Sequence, residues 1–249
     1  MFRPSAVRVG RLLLGDGLIR TAGRSLARGR LAALSLTLTA TAAVLLFQLL
    51  QHAPGGAVLV ERVGVVRASL PLWEALLRTP LSLFVPAPDL PAWGAAGQVL
   101  LVFGIAELTI GRWATVAVAY AGTLAGTLYA RHGVHAGIHT GAHAGAHAGT
   151  GGADHLFALP WTDAFVRDTG PSAAVVALAV YVAWRYRAWA VGGATVAAMA
   201  LEQALYPNLA GAEHLAAILC ALALAGCGEL VAHRLVRTAD AWRPLLPVP

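Results

Sequence analysis

Lysine is absent from the chain, and all 18 of its basic residues are arginine. Charge of either sign is scarce: 12% of residues are Asp, Glu, Lys or Arg, against about 25% in an ordinary soluble domain. With 58% hydrophobic residues and a mean hydropathy of +0.67, that scarcity excludes the usual water-facing surface and assigns the chain to a bilayer. Cysteine is limited to Cys220 and Cys227, seven residues apart in one apolar run. Two such thiols read as packing residues on one helix face and offer neither a disulfide framework nor a metal knuckle. A net charge of +6 would by itself point to nucleic acid. The arginines, however, sit in short segments between apolar runs, as the positive-inside rule expects, so the partner is lipid and not nucleic acid.

What is present is a series of apolar runs, which implies an all-α, polytopic bundle of six transmembrane helices. Residues 1–30 form a basic arm with seven arginines, suited to anionic headgroups or to a floppy tail. The first span, Leu31 to Gln51, has about the 20 residues that hydrocarbon requires and lacks a clear cleavage site, so it reads as a retained helix. Prolines and glycines across 52–91 rule out a continuous span there, while Ser69 to Arg78 has the mixed pattern of a helix lying in the interface. The second and third spans, Ala92 to Ile110 and Trp113 to Ala130, are separated only by Gly111-Arg112, which forces an antiparallel hairpin. Gly122 and Gly126 form a small-residue ridge for close helix approach. The remaining spans run from Pro171 to about Trp184, Ala188 to Leu205 and Ala210 to Val231. Residues 31–231 thus form the membrane domain and 232–249 a cytoplasmic C-terminal tail, whose proline-rich end from Pro244 to Pro249 reads as an exit peptide.

Six spans put both termini on one side. That side holds 13 of the arginines and the other holds five, so the termini are expected in the cytoplasm. Ser172 and His214 then fall at the outer ends of their helices.

Between the third and fourth spans lies a His/Gly-rich insertion, 131–156, with His135, His139, His143 and His147 repeating every four residues. On a helix that spacing stacks imidazoles on one face, as zinc or copper sites do. Glycine at every fourth place opposes the helix by about 1 kcal/mol each. The simpler reading is an external loop with incidental metal affinity.

Two polar residues open apolar runs. Ser172 follows Pro171, which suits a first helical turn, with Asp168, Thr169 or Gly170 available as cap. A helix-start serine is the plain reading. The free N–H groups of such a turn can also hold an oxyanion, which makes Ser172 a candidate nucleophile. His214 is either an interfacial histidine bonded to a loop carbonyl or the base that a serine needs.

The stretch Phe103-Gly104-Ile105-Ala106-Glu107-Leu108-Thr109-Ile110-Gly111-Arg112-Trp113, followed by Tyr120 and the Gly122/Gly126 ridge, resembles the second and third helices of the rhomboid family of intramembrane serine proteases. Gly170-Pro171-Ser172-Ala173 and His214-Leu215-Ala216-Ala217 resemble that family's serine and histidine motifs, with alanine after each in place of glycine. The resemblance covers about residues 68–230 and is closest to a divergent group of actinobacterial rhomboid-like membrane proteins. It implies a bacterial cytoplasmic (inner) membrane protein that takes transmembrane-helix substrates through a Ser172/His214 dyad, with no cofactor. The histidine and asparagine that help hold the oxyanion in active members are missing. Trp93 and Gly97 stand near those places, and Gln98 is the one side-chain donor there, beside Gly170 at the helix mouth. A pseudoprotease that binds membrane-protein clients without cleaving them therefore stands beside the protease, and a metal-handling role for the histidine loop is a third reading. Glu107, Gly111, Arg112 and Trp113 read as structural, with Glu107 and Arg112 satisfying backbone ends or each other. Glu202 has no assigned role.

Overall fold

The computed structural model describes residues 17–88, 91–140 and 159–242. Arg3, Arg8, Arg11, His143, His147, His155 and the tail from Arg243 lie outside them. In chain order the elements are α1 (Leu18–Gly29), a 3-10 turn (Arg30–Leu34), α2 (Ser35–His52), α3 (Gly56–Gly64), α4 (Leu72–Ser82), α5 (Ala92–Ile110), α6 (Arg112–Thr140), a second 3-10 turn (Trp161–Phe165), α7 (Ser172–Arg185), α8 (Trp189–Leu205) and α9 (Leu209–Trp242). Among the described residues there is no strand, only an isolated bridge between Val66 and Asp168.

Each of the six apolar runs is a helix. Three stretches, Leu18–His52, Ala92–Ile110 and Leu209–Ala232, are long and apolar enough to cross a membrane by length and composition. Their outward faces are apolar too: Leu46, Leu49, Leu101 and Leu219 are all more than half exposed. An aqueous surface would not favour that, whereas lipid tails do.

The centre of the bundle is α7, which packs on α5, α6, α8 and α9. Small residues make this possible. Ala173, Ala174, Ala177, Ala217 and Ala221 fill the core around it, and a Cβ at Gly122 of α6 would collide with the Cβ of Ala177. Gly126, one turn on, lies against Glu213 of α9, where an added Cβ would stand 3.2 Å from the glutamate Cβ. In lipid, where burial drives helix association weakly, such close packing holds helices together. The small-residue ridge therefore decides which part of α9 meets α6.

Several expected boundaries move. The basic arm is helical from Leu18 and packs on α5. The short α3 occupies a Pro/Gly-rich stretch that the sequence pattern left without structure. The third helix runs on to Thr140, so residues 131–140 are helix and not loop, with His135 Nδ1 3.0 Å from the Arg131 carbonyl. The glycines expected to melt this segment have a tertiary use. Gly133 accepts a hydrogen bond from Leu159 N (2.9 Å), and a side chain at Gly137 would overlap the Leu159 carbonyl. Close backbone docking offsets the low helix propensity of glycine. Among the described residues no group of three metal-ligating side chains is assembled. α9 continues past Val231 to Trp242, so the first part of the expected C-terminal tail is helix, while the proline-rich end from Pro244 lies outside the described residues.

The hairpin between α5 and α6 turns at Gly111, whose φ of 83° suits glycine. Arg112 and Trp113 beside it are exposed. Glu107, one turn earlier, does not pair with Arg112. Its carboxylate instead accepts hydrogen bonds from Leu36 N (3.0 Å), Thr37 N (2.8 Å), Thr37 Oγ1 (2.8 Å) and Ser35 Oγ (3.4 Å). It is 7% exposed. The first-turn N–H groups of α2 have no intrahelical partner, and Leu34 supplies no side-chain cap, so a neighbouring helix caps α2 from the side and its negative charge meets the positive end of the α2 dipole. Glu107→Ala leaves those donors buried and bare. It should cost about 3 kcal/mol and lower the thermal midpoint of the detergent-solubilised protein, whereas Arg112→Ala should leave that midpoint unchanged.

Candidate functional site

The mouth of α7 is held by backbone contacts across the molecule. Asp168 N donates to the Val66 carbonyl (2.9 Å) and Gly170 N donates to the Ser82 carbonyl (2.9 Å). Gly170 has φ of 117°, a conformation that glycine tolerates and L residues rarely adopt. Pro171 is the N-cap residue of α7 and no side chain caps the helix, so none of Asp168, Thr169 and Gly170 takes the capping role their positions suggest. The Asp168 side chain turns away from the helix start, toward α6 and α9.

There it meets two partners. Thr127 Oγ1 of α6 donates to Asp168 Oδ2 (2.7 Å), and Glu213 of α9 is hydrogen-bonded to Asp168 side chain to side chain. Glu213 is 7% exposed, and its Oε1 has no hydrogen-bond partner. Two carboxyl groups buried side by side disfavour a second negative charge, because like charges this close repel with little water to screen them. Burial pushes the Asp168 carboxyl above its ordinary value of 3.8, against the smaller opposing effect of the hydrogen bonds from Thr127 and Glu213.

Asp168 and Glu213 line a cavity of about 70 Å³ together with Ser82, Thr123, Arg167, Gly170 and Ser172. The site brings Ser172 and Gly170 together and adds Asp168 and Glu213. Ser172 Oγ makes no hydrogen bond among the described residues, and the first-turn N–H groups of α7 lack intrahelical partners. The Gly170 N–H is committed to Ser82, which removes it from the oxyanion donors.

The other expected site residues stand elsewhere. His214 follows Glu213 by one residue, about 100° further round the helix, and does not line the cavity. It is 8% exposed, and among the described residues neither ring nitrogen is hydrogen-bonded, to Ser172 or to a loop carbonyl. Gln98 is exposed on α5, as are Trp93 and Gly97, and none of the three lines the cavity. The sequence pattern missed the Asp168–Glu213 contact. Its signal was present in two acidic residues, each at the edge of an apolar run and each beside a motif residue.

Comparison with known protein families, curated proteins and solved structures finds no match.

The raised value at Asp168 has a thermodynamic consequence with a definite sign. The folded state binds this proton more tightly than the unfolded chain, so the contribution is full below about 3.8 and is lost as pH rises through the folded value. Asp168→Asn keeps an acceptor for Thr127 and carries no charge to desolvate. Its thermal midpoint should rise relative to the parent as pH increases across that window, and identical pH dependence in the two proteins would contradict the assignment.

Proposed function

We propose that the protein is a rhomboid-like integral membrane protein of six transmembrane helices, with both termini cytoplasmic, that receives a transmembrane helix of another protein and cleaves it with Ser172 as nucleophile. The observation that supports this most is the setting of Ser172. Its hydroxyl opens α7, faces a polar cavity, and is not engaged by any cap or turn. An oxyanion formed at this point meets the free N–H groups and the positive end of the α7 dipole, in a site with little water to screen them. The donors are backbone groups of the first turn, since Gln98 is remote from the cavity and the Gly170 N–H is taken.

The bundle suits a helical client. The apolar faces of α2, α5 and α9 meet lipid, and α8 buries no residue of its own, so its displacement from α7 and α9 uncovers no buried residue of α8. A bilayer and a transmembrane helix are then the partners, and the bacterial inner membrane is the location that the resemblance and the arginine bias support.

A second reading keeps the helix-binding role without turnover. The separation of His214 and Gln98 from the cavity favours it. The two readings part in one assay, in which the detergent-purified protein meets a fluorophosphonate probe and transmembrane-helix reporters beside Ser172→Ala. Labelling and cleavage should fall to background in the variant, by a factor of about 10³ or more. Labelling that persists in Ser172→Ala eliminates the nucleophile, and its absence from both proteins favours the non-cleaving client binder.

A further inference from the structure

A nucleophilic serine needs a proton acceptor, and the cavity that holds Ser172 contains one that is not an imidazole. Asp168 and Glu213 line it, while His214 does not. Glu213 is nine-tenths buried and its Oε1 lacks any hydrogen-bond partner. Ser172 lines the same cavity, and its Oγ is unengaged among the described residues. The volume of about 70 Å³ leaves room for a bridging water, which needs only a small fraction of it.

We propose that the Asp168–Glu213 carboxyl pair, and not His214, accepts the Ser172 proton. This inference rests on Ser172 acting as nucleophile.

The chemistry balances without any group beyond substrate and water. In its resting form the pair holds one proton and one negative charge. As Ser172 Oγ forms a bond to the carbonyl carbon of the scissile peptide, its proton passes across the cavity to the pair, directly or through one water, and the pair becomes neutral. The carbonyl oxygen takes the electron pair of the C=O π bond and lies against the first-turn N–H groups of α7. When the C–N bond breaks, the leaving amine takes a proton from the pair, which returns to one proton and one charge. Water then attacks the acyl-serine, giving its proton to the pair, and Ser172 recovers that proton as the ester bond breaks.

The electrostatics favour such a base over an ordinary carboxylate. Burial holds the pair's negative charge away from water and so favours uptake of a second proton, outweighing the opposing hydrogen bonds that Asp168 accepts from Thr127 and Glu213. Burial of Asp168 acts in this direction. The neighbouring Asp163 on the second 3-10 turn adds negative potential at Glu213. The nearby cation, Arg167, is turned to Gln51 Oε1 (3.1 Å) and lies 4.0 Å from Glu61, so it does not neutralise the pair by contact. Thr127 donates to Asp168 and fixes which way the pair faces.

The test compares fluorophosphonate labelling rates of the full-length protein in detergent across pH for the parent, Glu213→Gln, Asp168→Asn and His214→Ala, with thermal midpoints to establish folding. We expect His214→Ala to label at the parent rate with the lower limb of its pH profile unmoved. Glu213→Gln and Asp168→Asn should label more slowly by a factor of about 10² or more. Should a carboxyl variant fail to fold, the profile of His214→Ala decides: a retained lower limb supports the pair, and a lost or displaced one overturns it. A loss of labelling in His214→Ala equal to or greater than that in Glu213→Gln also overturns the inference while leaving Ser172 as nucleophile. Absence of labelling in the parent contradicts the nucleophile itself, and the inference with it.

Discussion

A carboxyl group placed among apolar helices must find donors or keep its proton, and this constraint arranges both ends of the molecule. At the α5–α6 hairpin, Glu107 finds donors. Four of them converge on it from the start of α2, so a side chain in one helix completes another across 70 residues of sequence. At the mouth of α7 the supply is smaller. Among the described residues Thr127 is the one hydroxyl that donates to Asp168 and Glu213 has an oxygen with no donor, which favours proton retention by the two acids. The same side-chain chemistry therefore fixes structure at one site and leaves two buried acids lining a cavity with a serine at the other.

Much of the architecture was legible in the amino-acid pattern, for a simple reason. Apolar length is a local property, and it placed a helix on each of the six runs, with Ala92–Ile110 recovered to the residue. Gly111 and the Gly122/Gly126 ridge were legible for the same reason, since their uses follow from glycine itself. The extension of α6 to Thr140 was not. It depends on Leu159 docking against Gly133 and Gly137, a contact that helix propensity cannot anticipate. Glu107 shows the same limit more finely. Two local solutions were open, Arg112 or backbone ends, and tertiary packing chose the backbone.

The site divides in the same way. Pro171 and Ser172 at a helix start are read from adjacent residues, and the structure places Ser172 there. The pairing of Asp168 with Glu213 joins residues 45 positions apart in sequence and is set by where α9 crosses α6. Gly126 allows that crossing to come close, and its contact with Glu213 makes the small-residue ridge part of the site and more than a packing surface. One residue along α9, His214 does not line the cavity. A single step of helix rotation thus separates the imidazole that a motif would select from the carboxyl that the cavity contains.

The claim on which the account depends is that Asp168 and Glu213 hold a common proton at neutral pH beside Ser172. Infrared spectra of the detergent-solubilised protein test it most directly, because a protonated carboxyl and a carboxylate absorb in separate regions. The account predicts a protonated-carboxyl band at neutral pH that disappears in Glu213→Gln and shifts in Asp168→Asn. A spectrum without such a band, or with one that both substitutions leave in place, would contradict it.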